Sequence, residues 1–455
     1  MSYLEYEKYN NSGVDWLGEV PNTWELKKLK YIIEIIQTGT TPSTNDQSFF
    51  DGNIDWFNPK DLNHEVLINS EKRITQKAIE KGIMKLFPGN STLIVGIGAT
   101  TGKTAFLKHA GTFNQQITGF KSKNHSNKFL FYLLKSMSNV FLKIANYTTL
   151  PILNNEFFKS LLLSIPPLKE QNAIVTFLDK KTSEIDALIE KKIKLIQLLE
   201  EKRSALISQV VTKGLEHNVP MKDSGVEWMG DIPKHWQIIP FKHVIYFQEG
   251  PGIMAVDFVD QGVPLLRIRN LTSNKVQLEG CNYLHPEKVE QVWKQFKLDI
   301  GDLLISTSAT TGLVSSVGYE AVGSIPYTGI IRLKPKNKSI SNEYIKLIVS
   351  SSLFFTQIDL LKTGSTIQHF GPLHLNQMFI CLPPSDEQGE IVIFLNSQTE
   401  KIDEIKSKIL EAIGRLKEYR SALITNVVTG KIKVSNINVD LPEPEKFKCS
   451  SGGYL

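Results

Sequence analysis

The chain is written twice, and that constrains its fold more than anything else in it. Ser12 to Trp24, SGVDWLGEVPNTW, returns as Ser224 to Trp236, SGVEWMGDIPKHW, with seven identities in thirteen positions. Glu201 to Thr212, EKRSALISQVVT, returns as Glu418 to Thr429, EYRSALITNVVT, with nine identities in twelve. The preceding IPPLKEQ, Ile165 to Gln171, returns as LPPSDEQ, Leu382 to Gln388. The blocks keep their order, so the chain is a tandem duplication and whatever one half builds the other can build again. Between the blocks each half carries roughly 140 residues that align poorly, apart from an apolar stretch ending in ATTG at Ala99 to Gly102 and at Ala309 to Gly312. Each half therefore combines a shared frame with a divergent insert.

The frame reads as long helices. After Pro166-Pro167, a pair suited to ending a strand and opening a helix, Leu168 to Val211 contains neither Gly nor Pro. Leu178, Ile185, Leu199 and Leu206 fall on one seven-residue register with Lys192 at the remaining position, and Leu188 and Leu195 lie on a neighbouring one. That is a coiled-coil-like seam with a polar interruption, and Gly214 is the expected stop. In the second copy Ser385 and Gln388 have capping-box spacing. Ile391, Leu395, Ile402, Ile405, Ile409, Ile413, Leu416, Leu423 and Val427 then carry an apolar face to Gly430. A helix of about 44 residues is about 65 Å long and cannot hide its stripe by folding on itself. Two such helices packed on one another, antiparallel, solve the problem and hold the inserts at opposite ends of a rod.

The inserts read as mixed α and β, with β-prone runs at Ser91 to Ile97, Val263 to Ile268, Asp302 to Ser306 and Ile330 to Leu333, and helical patches at Lys128 to Ile144 and Asn342 to Leu361. The expected organisation is a frame segment 1–23, a first insert 24–164, a central helix 165–215, a linker and repeated frame segment 216–236, a second insert 237–381, a distal helix 382–432 and a disordered tail 433–455. The fold class is α+β with an internal pseudo-two-fold repeat. Trp16, Trp24, Trp228 and Trp236 recur with the frame and are expected to be packing anchors.

Several chemistries are excluded by their missing parts. Leu93 to Thr104, LIVGIGATTGKT, resembles a phosphate loop, but the glycine required five residues before the Gly-Lys pair is Ile97, and the second copy, LLISTSATTGLV, lacks the lysine. Gly96-x-Gly98 hints at a dinucleotide or S-adenosylmethionine loop, yet Thr101 stands at the third glycine and no acid follows at the expected distance. The Pro-Pro pairs lack the flanking polar and aromatic residues with which DNA amino-methyltransferases hold a flipped base. The nine histidines form no HExxH or HxH set. Cys281, Cys381 and Cys449 contain no CxxC pair, so neither a disulfide framework nor a zinc site is expected. There is no 18-residue apolar run, and the polar, acidic start lacks the form of a signal peptide, so no membrane and a cytoplasmic location are expected. The net charge of +5 is modest, but residues 24–164 hold 17 basic against 10 acidic side chains and residues 237–381 hold 13 against 11. Phosphate attraction should be stronger in the first half.

The SGVxWxGxxPxxW opening, the PPxxEQ helix start and the RSALIxxVVT helix end, each present twice around divergent inserts, resemble the specificity subunits of type I restriction-modification systems over nearly the whole chain. The resemblance implies that each insert is a target-recognition domain reading one half of a split, asymmetric double-stranded DNA site. It implies that the helices set the spacing and dock two methyltransferase (modification) subunits, which would carry S-adenosylmethionine. Motor-nuclease (restriction) subunits would carry ATP and magnesium, and no cofactor is expected on this chain. A stand-alone DNA methyltransferase and a non-catalytic coiled-coil scaffold remain the alternatives.

Base reading needs a few amide, hydroxyl or guanidinium groups on a rigid platform, with basic groups on phosphates setting register. In the first insert the candidates are Thr38, Thr40, Thr41 and Ser43, then Asn58 and Lys60, then Thr100, Thr101 and Lys103, then Asn114, Gln115 and Gln116. In the second they are Arg267, Arg269 and Asn270, then Thr307, Thr310 and Thr311, then Ser365, Thr366, Gln368 and His369. The alternate spacing of Arg267 and Arg269 puts both on one strand face, where they would meet guanine or phosphate.

Overall fold

A computed structural model describes residues 4–145, 152–216, 218–272, 274–307, 313–362 and 370–434. The chain divides into two compact units: residues 1–190 with 412–455, and residues 191–411. The tail from 435 onward and Cys449 lie outside the described residues.

Each unit contains the same parts. The SGVxWxG motif is a small hairpin, Tyr9–Asn11 with Glu19–Pro21 in the first unit and Met221–Asp223 with Asp231–Pro233 in the second. Gly18 and Gly230 share a positive φ of 63° in the turn, a conformation in which a Cβ would be strained. Trp24 and Trp236 are buried, and Trp16 and Trp228 are partly buried against the same cores. Next comes an antiparallel strand pair, Glu25–Lys28 with Leu162–Ile165 and Gln237–Pro240 with Phe379–Leu382, which brackets the insert.

The main sheet of the first unit has the order Ile33–Thr38, Ile117–Ser122, Ser91–Val95, Thr104–Leu107, Val66–Leu67, and only the last pair is parallel. That of the second is Ile245–Glu249, Ile330–Pro335, Leu303–Ser306, Val314–Ser316, with a parallel bridge from Ser316 to Lys275 in place of the fifth strand. The central strands read as unbroken apolar runs because both faces are covered. Ile94 faces the core that includes the insert helices while Leu93 and Val95 face a second cluster, and Ile305 and Leu304 divide in the same way. A smaller sheet leans on each: Phe50–Phe57 between Thr112–Phe113 and Arg73–Ile74, and Val263–Leu266 between Ile325–Pro326 and Asn282–Leu284.

The long helices are Leu168–Lys213 and Ser385–Val428. Each ends on a left-handed glycine, Gly214 at φ 76° and Gly430 at φ 78°. In the first unit Ile174, Leu178 and Ile185 share a core with Leu423, Ile424, Val427 and Val428; in the second, Ile207, Val210 and Val211 share one with Ile391 and Leu395. Within the second unit Glu200 bonds Lys406 and Arg203 bonds Asp403, so three residues forward on one helix meet three backward on the other: the pair is antiparallel. The seam differs in places from the expected one. Leu188, Leu195 and Ile405 are exposed, and Lys406, paired with Glu200, occupies the seam beside Ile405.

Gln388 builds no capping box with Ser385, which lies inside the helix. It is buried, and its Nε2 donates to the carbonyls of Pro383 (3.0 Å) and Ser339 (2.7 Å) while its Oε1 accepts from Ser341 N (3.2 Å). Gln171 does the same with Pro166 (2.8 Å) and Ser126 N (2.8 Å). Ser126 and Ser341 are the N-caps of the insert helices Asn127–Ser136 and Asn342–Ser350. The glutamine of the PPxxEQ motif thus ties each insert to its long helix. Both helical patches are shorter than expected, breaking at Met137 and Ser351 before Ser138–Ala145 and Ser352–Lys362. In the first unit a further tie forms: Arg420 meets Asp186 (2.8 and 3.0 Å) and Glu65 (2.8 Å), and Lys135 also reaches Glu65.

Candidate nucleic-acid interface

In the first unit, the end of strand Ile33–Thr38, the turn after Ser91–Val95, the segment 114–116 and the start of helix Asn155–Ser160 converge. Gly39 permits the approach, because a Cβ there would lie 2.0 Å from the Phe113 carbonyl oxygen. Thr38 Oγ1 lies 3.2 Å from both Thr118 Oγ1 and Asn155 Oδ1, and Thr41 donates to Gln115. Buried Asn114 donates to Gln116 Oε1 (3.1 Å) and Asn58 Oδ1 (3.4 Å), and Gln116 Nε2 donates to the Ile97 carbonyl (3.3 Å). Thr38, Gln115, Gln116, Asn154 and Asn155 edge a recess of about 330 Å³, and Thr41, Asn58 and Asn114 bond to its edge or to one another without lining it. Every polar edge on it is a neutral amide or hydroxyl apart from Glu156.

Other candidates of this half are held elsewhere. Thr40 donates to the Ile83 carbonyl (3.0 Å), Lys60 pairs with Glu71 (2.6 Å) and Lys103 with Asn63. Ser43 and Thr100 are exposed in turns, whereas Thr101 is buried and donates to the Gly98 carbonyl (2.6 Å).

The second unit repeats the recess with different lining. Backbone register pairs the positions: Gly39 N bonds Ile117 O as Gly250 N bonds Ile330 O, and Gly96 N bonds Gln116 O as Thr307 N bonds Gly329 O. Glu249 thereby stands where Thr38 does, and Thr328 where Gln115 does. A Cβ on Gly250 would lie 2.2 Å from the Pro326 carbonyl oxygen, the counterpart of the Gly39 approach. The recess, about 520 Å³, is edged by Glu249, Ile268, Thr307, Thr328 and His374. Glu249 Oε1 accepts from Gly329 N (3.2 Å) and Thr328 Oγ1 (3.4 Å), His374 Nδ1 accepts from Gly371 N (3.1 Å), and buried Thr307 donates to the Gly329 carbonyl (3.1 Å).

Arg267 and Arg269 do not share a strand face. The strand ends at Leu266, and Ile268–Asn270 turns as a 3₁₀ helix because buried Asn270 accepts from Arg267 N (2.9 Å) and donates to the Glu279 carbonyl (3.0 Å). Arg269 swings away to the Gly280 carbonyl, while Arg267 lies between the rings of Phe258 (5.3 Å) and Tyr327 (5.2 Å). Thr310, Thr311, Ser365, Thr366, Gln368 and His369 lie outside the described residues.

Asn154, Asn155, Glu249 and Thr328 are recess residues that sequence reasoning missed. Asn154 carried a signal as a helix N-cap, and it accepts from Phe157 N at 2.8 Å. Glu249 and Thr328 become recognisable only from strand register. Among the described residues no group of three His, Cys, Asp or Glu could hold a metal, and no single helix is long and apolar enough to cross a membrane.

A model of the type I restriction modification DNA specificity domain matches the chain twice, over residues 21–198 and 234–415. Among curated proteins, the type I restriction enzyme MjaVIII specificity subunit of Methanocaldococcus jannaschii is 25% identical over 92% of this chain and 95% of its own length. The MjaIX specificity subunit of the same organism is 26% identical over 92% and 96%. The EcoBI specificity subunit of Escherichia coli is 20% identical over 75% and 73%. A solved structure from a study of assembly and conformational transition of the type I restriction-modification system shares the fold, with a TM-score of 0.65 at 16% identity over 90% of this chain and 98% of that one. With the domain matched over both halves and the duplication visible in sheets, caps and hairpins alike, the chain belongs to the family of type I restriction-modification DNA specificity subunits.

Proposed function

We propose that each unit reads one half of a two-part, asymmetric DNA site, its recess and the adjoining turns facing the base edges. The observation that carries this reading is that equivalent backbone positions offer different hydrogen-bonding groups. The first unit presents Thr38 and Gln115 at its recess where the second presents Glu249 and Thr328, and Asn58 stands where the second unit has Arg267. Amides suit adenine, carboxylates accept from cytosine and guanidinium groups suit guanine, so unlike linings select unlike half-sites. The long helices set the distance between halves and dock two modification subunits. In the second unit Ile193, Leu195, Leu198, Ile405 and Leu410 are exposed on them and supply apolar surface for that contact. Adenine methylation with S-adenosylmethionine belongs to those subunits, ATP- and magnesium-dependent cleavage to motor-nuclease subunits, and the assembly works on cytoplasmic DNA.

The test is an exchange of residues 24–160 for the matching insert of a relative, followed by mapping methylated adenines. The first half of the recognised sequence should change and the second should stay. An unchanged first half defeats the reading.

A further inference from the structure

Of the seven arginines in the chain, five have a hydrogen-bonding or ionic partner and a sixth, Arg415, is engaged by a neighbour. Arg73 meets Asp55, Arg203 meets Asp403, Arg332 meets Asp302 and Arg420 meets Asp186 and Glu65, and Arg269 bonds a carbonyl. Among the described residues the Arg267 side chain makes no hydrogen bond or ion pair, and its Nε is buried without an acceptor. The stretches 308–312 and 363–369 contain no acidic residue that could serve it. A half-buried cation left without an anion is costly unless an outside group completes it. Phe258 and Tyr327 meanwhile hold the guanidinium between two ring faces, which restricts its plane and leaves its in-plane N–H edge to be used.

The first unit shows what kind of station this is. Parallel register sets Phe57 opposite Phe113 and Leu266 opposite Pro326, so Asn58 and Arg267 are the next residues on equivalent strands. Each has its backbone N–H held by the side chain three residues on, Asp61 (2.7 Å) or Asn270 (2.9 Å). Each faces the residue that bonds back to its own strand, Asn114 or Tyr327. The occupant of the first station is a neutral amide, which neutralises no phosphate but has the donor–acceptor pair that reads a base. We infer that Arg267 is a specificity-determining residue that donates two in-plane N–H bonds to O6 and N7 of a guanine in the half-site of the second unit. This rests on the proposed half-site reading and adds the identity of one base to it.

The test uses the full chain assembled with its modification subunits, with methylated adenines mapped genome-wide in a host free of other methylation, for wild type, Arg267→Lys and Arg267→Gln. The wild type should give a two-part pattern with a guanine in the half that an insert exchange assigns to residues 237–381. Both variants should relax that one position, with discrimination for guanine falling roughly 10- to 100-fold, and leave the other half as it was. Lysine keeps the charge between the rings but not the fork, so it separates base reading from charge. A two-part wild-type pattern whose second half holds no guanine overturns the inference alone, while a pattern without two parts removes the half-site reading beneath it. Unchanged preference with weaker binding at every site and a shallower salt dependence would make Arg267 a phosphate contact. Unchanged preference with a lower melting temperature would make it a brace within the fold. Either result overturns the assignment.

Discussion

Arg420 in the first unit and Arg203 in the second occupy matching places on the two long helices, and each meets the matching aspartate, Asp186 or Asp403. The resemblance stops there. In the first unit Glu65, on the edge of the insert, completes the arginine and draws in Lys135. The corresponding residue of the second unit is Asn274, as Phe106 N to Glu65 O and Ser316 N to Asn274 O show. Asn274 brings no carboxylate there, and the recess between insert and helices, lined by Glu200, Arg203, Lys346 and Asp403, is about 580 Å³, against about 330 Å³ for the one around Glu65, Lys135, Asp186 and Arg420 in the first unit. A shared frame can therefore be tied more closely to one insert than to the other, and the tie in the first unit is made by Glu65, a residue of the variable part.

That comparison can be broken or sharpened by measurement. The largest effect should come from the glutamines common to both units. Gln171→Leu strands the Ser126 N–H and the Pro166 carbonyl, and Gln388→Leu strands their counterparts, so each should destabilise its own unit by about 2–4 kcal/mol in denaturant unfolding. Equal insensitivity of both units would show that the motif ties nothing. Next, Arg420→Ala should cost about 2–3 kcal/mol, because it leaves Glu65 half-buried beside a lone Lys135, whereas Arg203→Ala should cost under about 1 kcal/mol. Similar losses would erase the distinction.

Acid should separate the units in a more graded way. Burial alone would raise the Glu65 carboxyl, but the hydrogen bonds and charges of Arg420 and Lys135 outweigh it and hold the group below the usual carboxylate range. Its contribution is thus complete above the unfolded value of about 4.3 and lost as pH falls through the lower folded value. In variants with Glu65→Gln, the acid limb of unfolding of the first unit should flatten and that of the second should not change. The smallest effect concerns the tryptophans. Trp236 Nε1 donates to Glu387 (2.9 Å), whereas in the first unit the matching Glu170 is taken by the Tyr6 hydroxyl and Trp24 Nε1 is buried without an acceptor. Trp236→Phe should cost about 1 kcal/mol more than Trp24→Phe by thermal unfolding.

The frame was legible from sequence because its signals are local. Pro-Pro starts, runs without glycine and left-handed glycine stops mark the long helices, and the doubling marks the hairpins. The seam was partly misjudged at Ile405, since which of two adjacent positions turns inward depends on Glu200 of another helix meeting Lys406. The insert strands were legible as apolar runs, while the breaks at Met137 and Ser351 carry no glycine or proline to announce them. Thr38, Asn114, Gln115 and Gln116 were candidates and do come together. Their counterparts Glu249 and Thr328 were not, because correspondence between divergent inserts passes through strand register, which links residues dozens of positions apart. Arg267 and Arg269 were separated by the side chain of Asn270, a contact that alternation cannot express.

One detail of the first unit bears on how the gene could be cut. Lys433 N donates to the Leu4 carbonyl at 2.8 Å, and Gly430 packs so closely on Pro21 that a Cβ there would overlap the proline ring. The seam between the halves that is covalent at 214–220 is matched near 430 by neighbours that merely touch. Joining residue 433 to residue 4 by a short peptide and opening the chain at 214–220 would exchange one such seam for the other, giving a circularly permuted protein with its halves in reversed order and every described strand pairing retained.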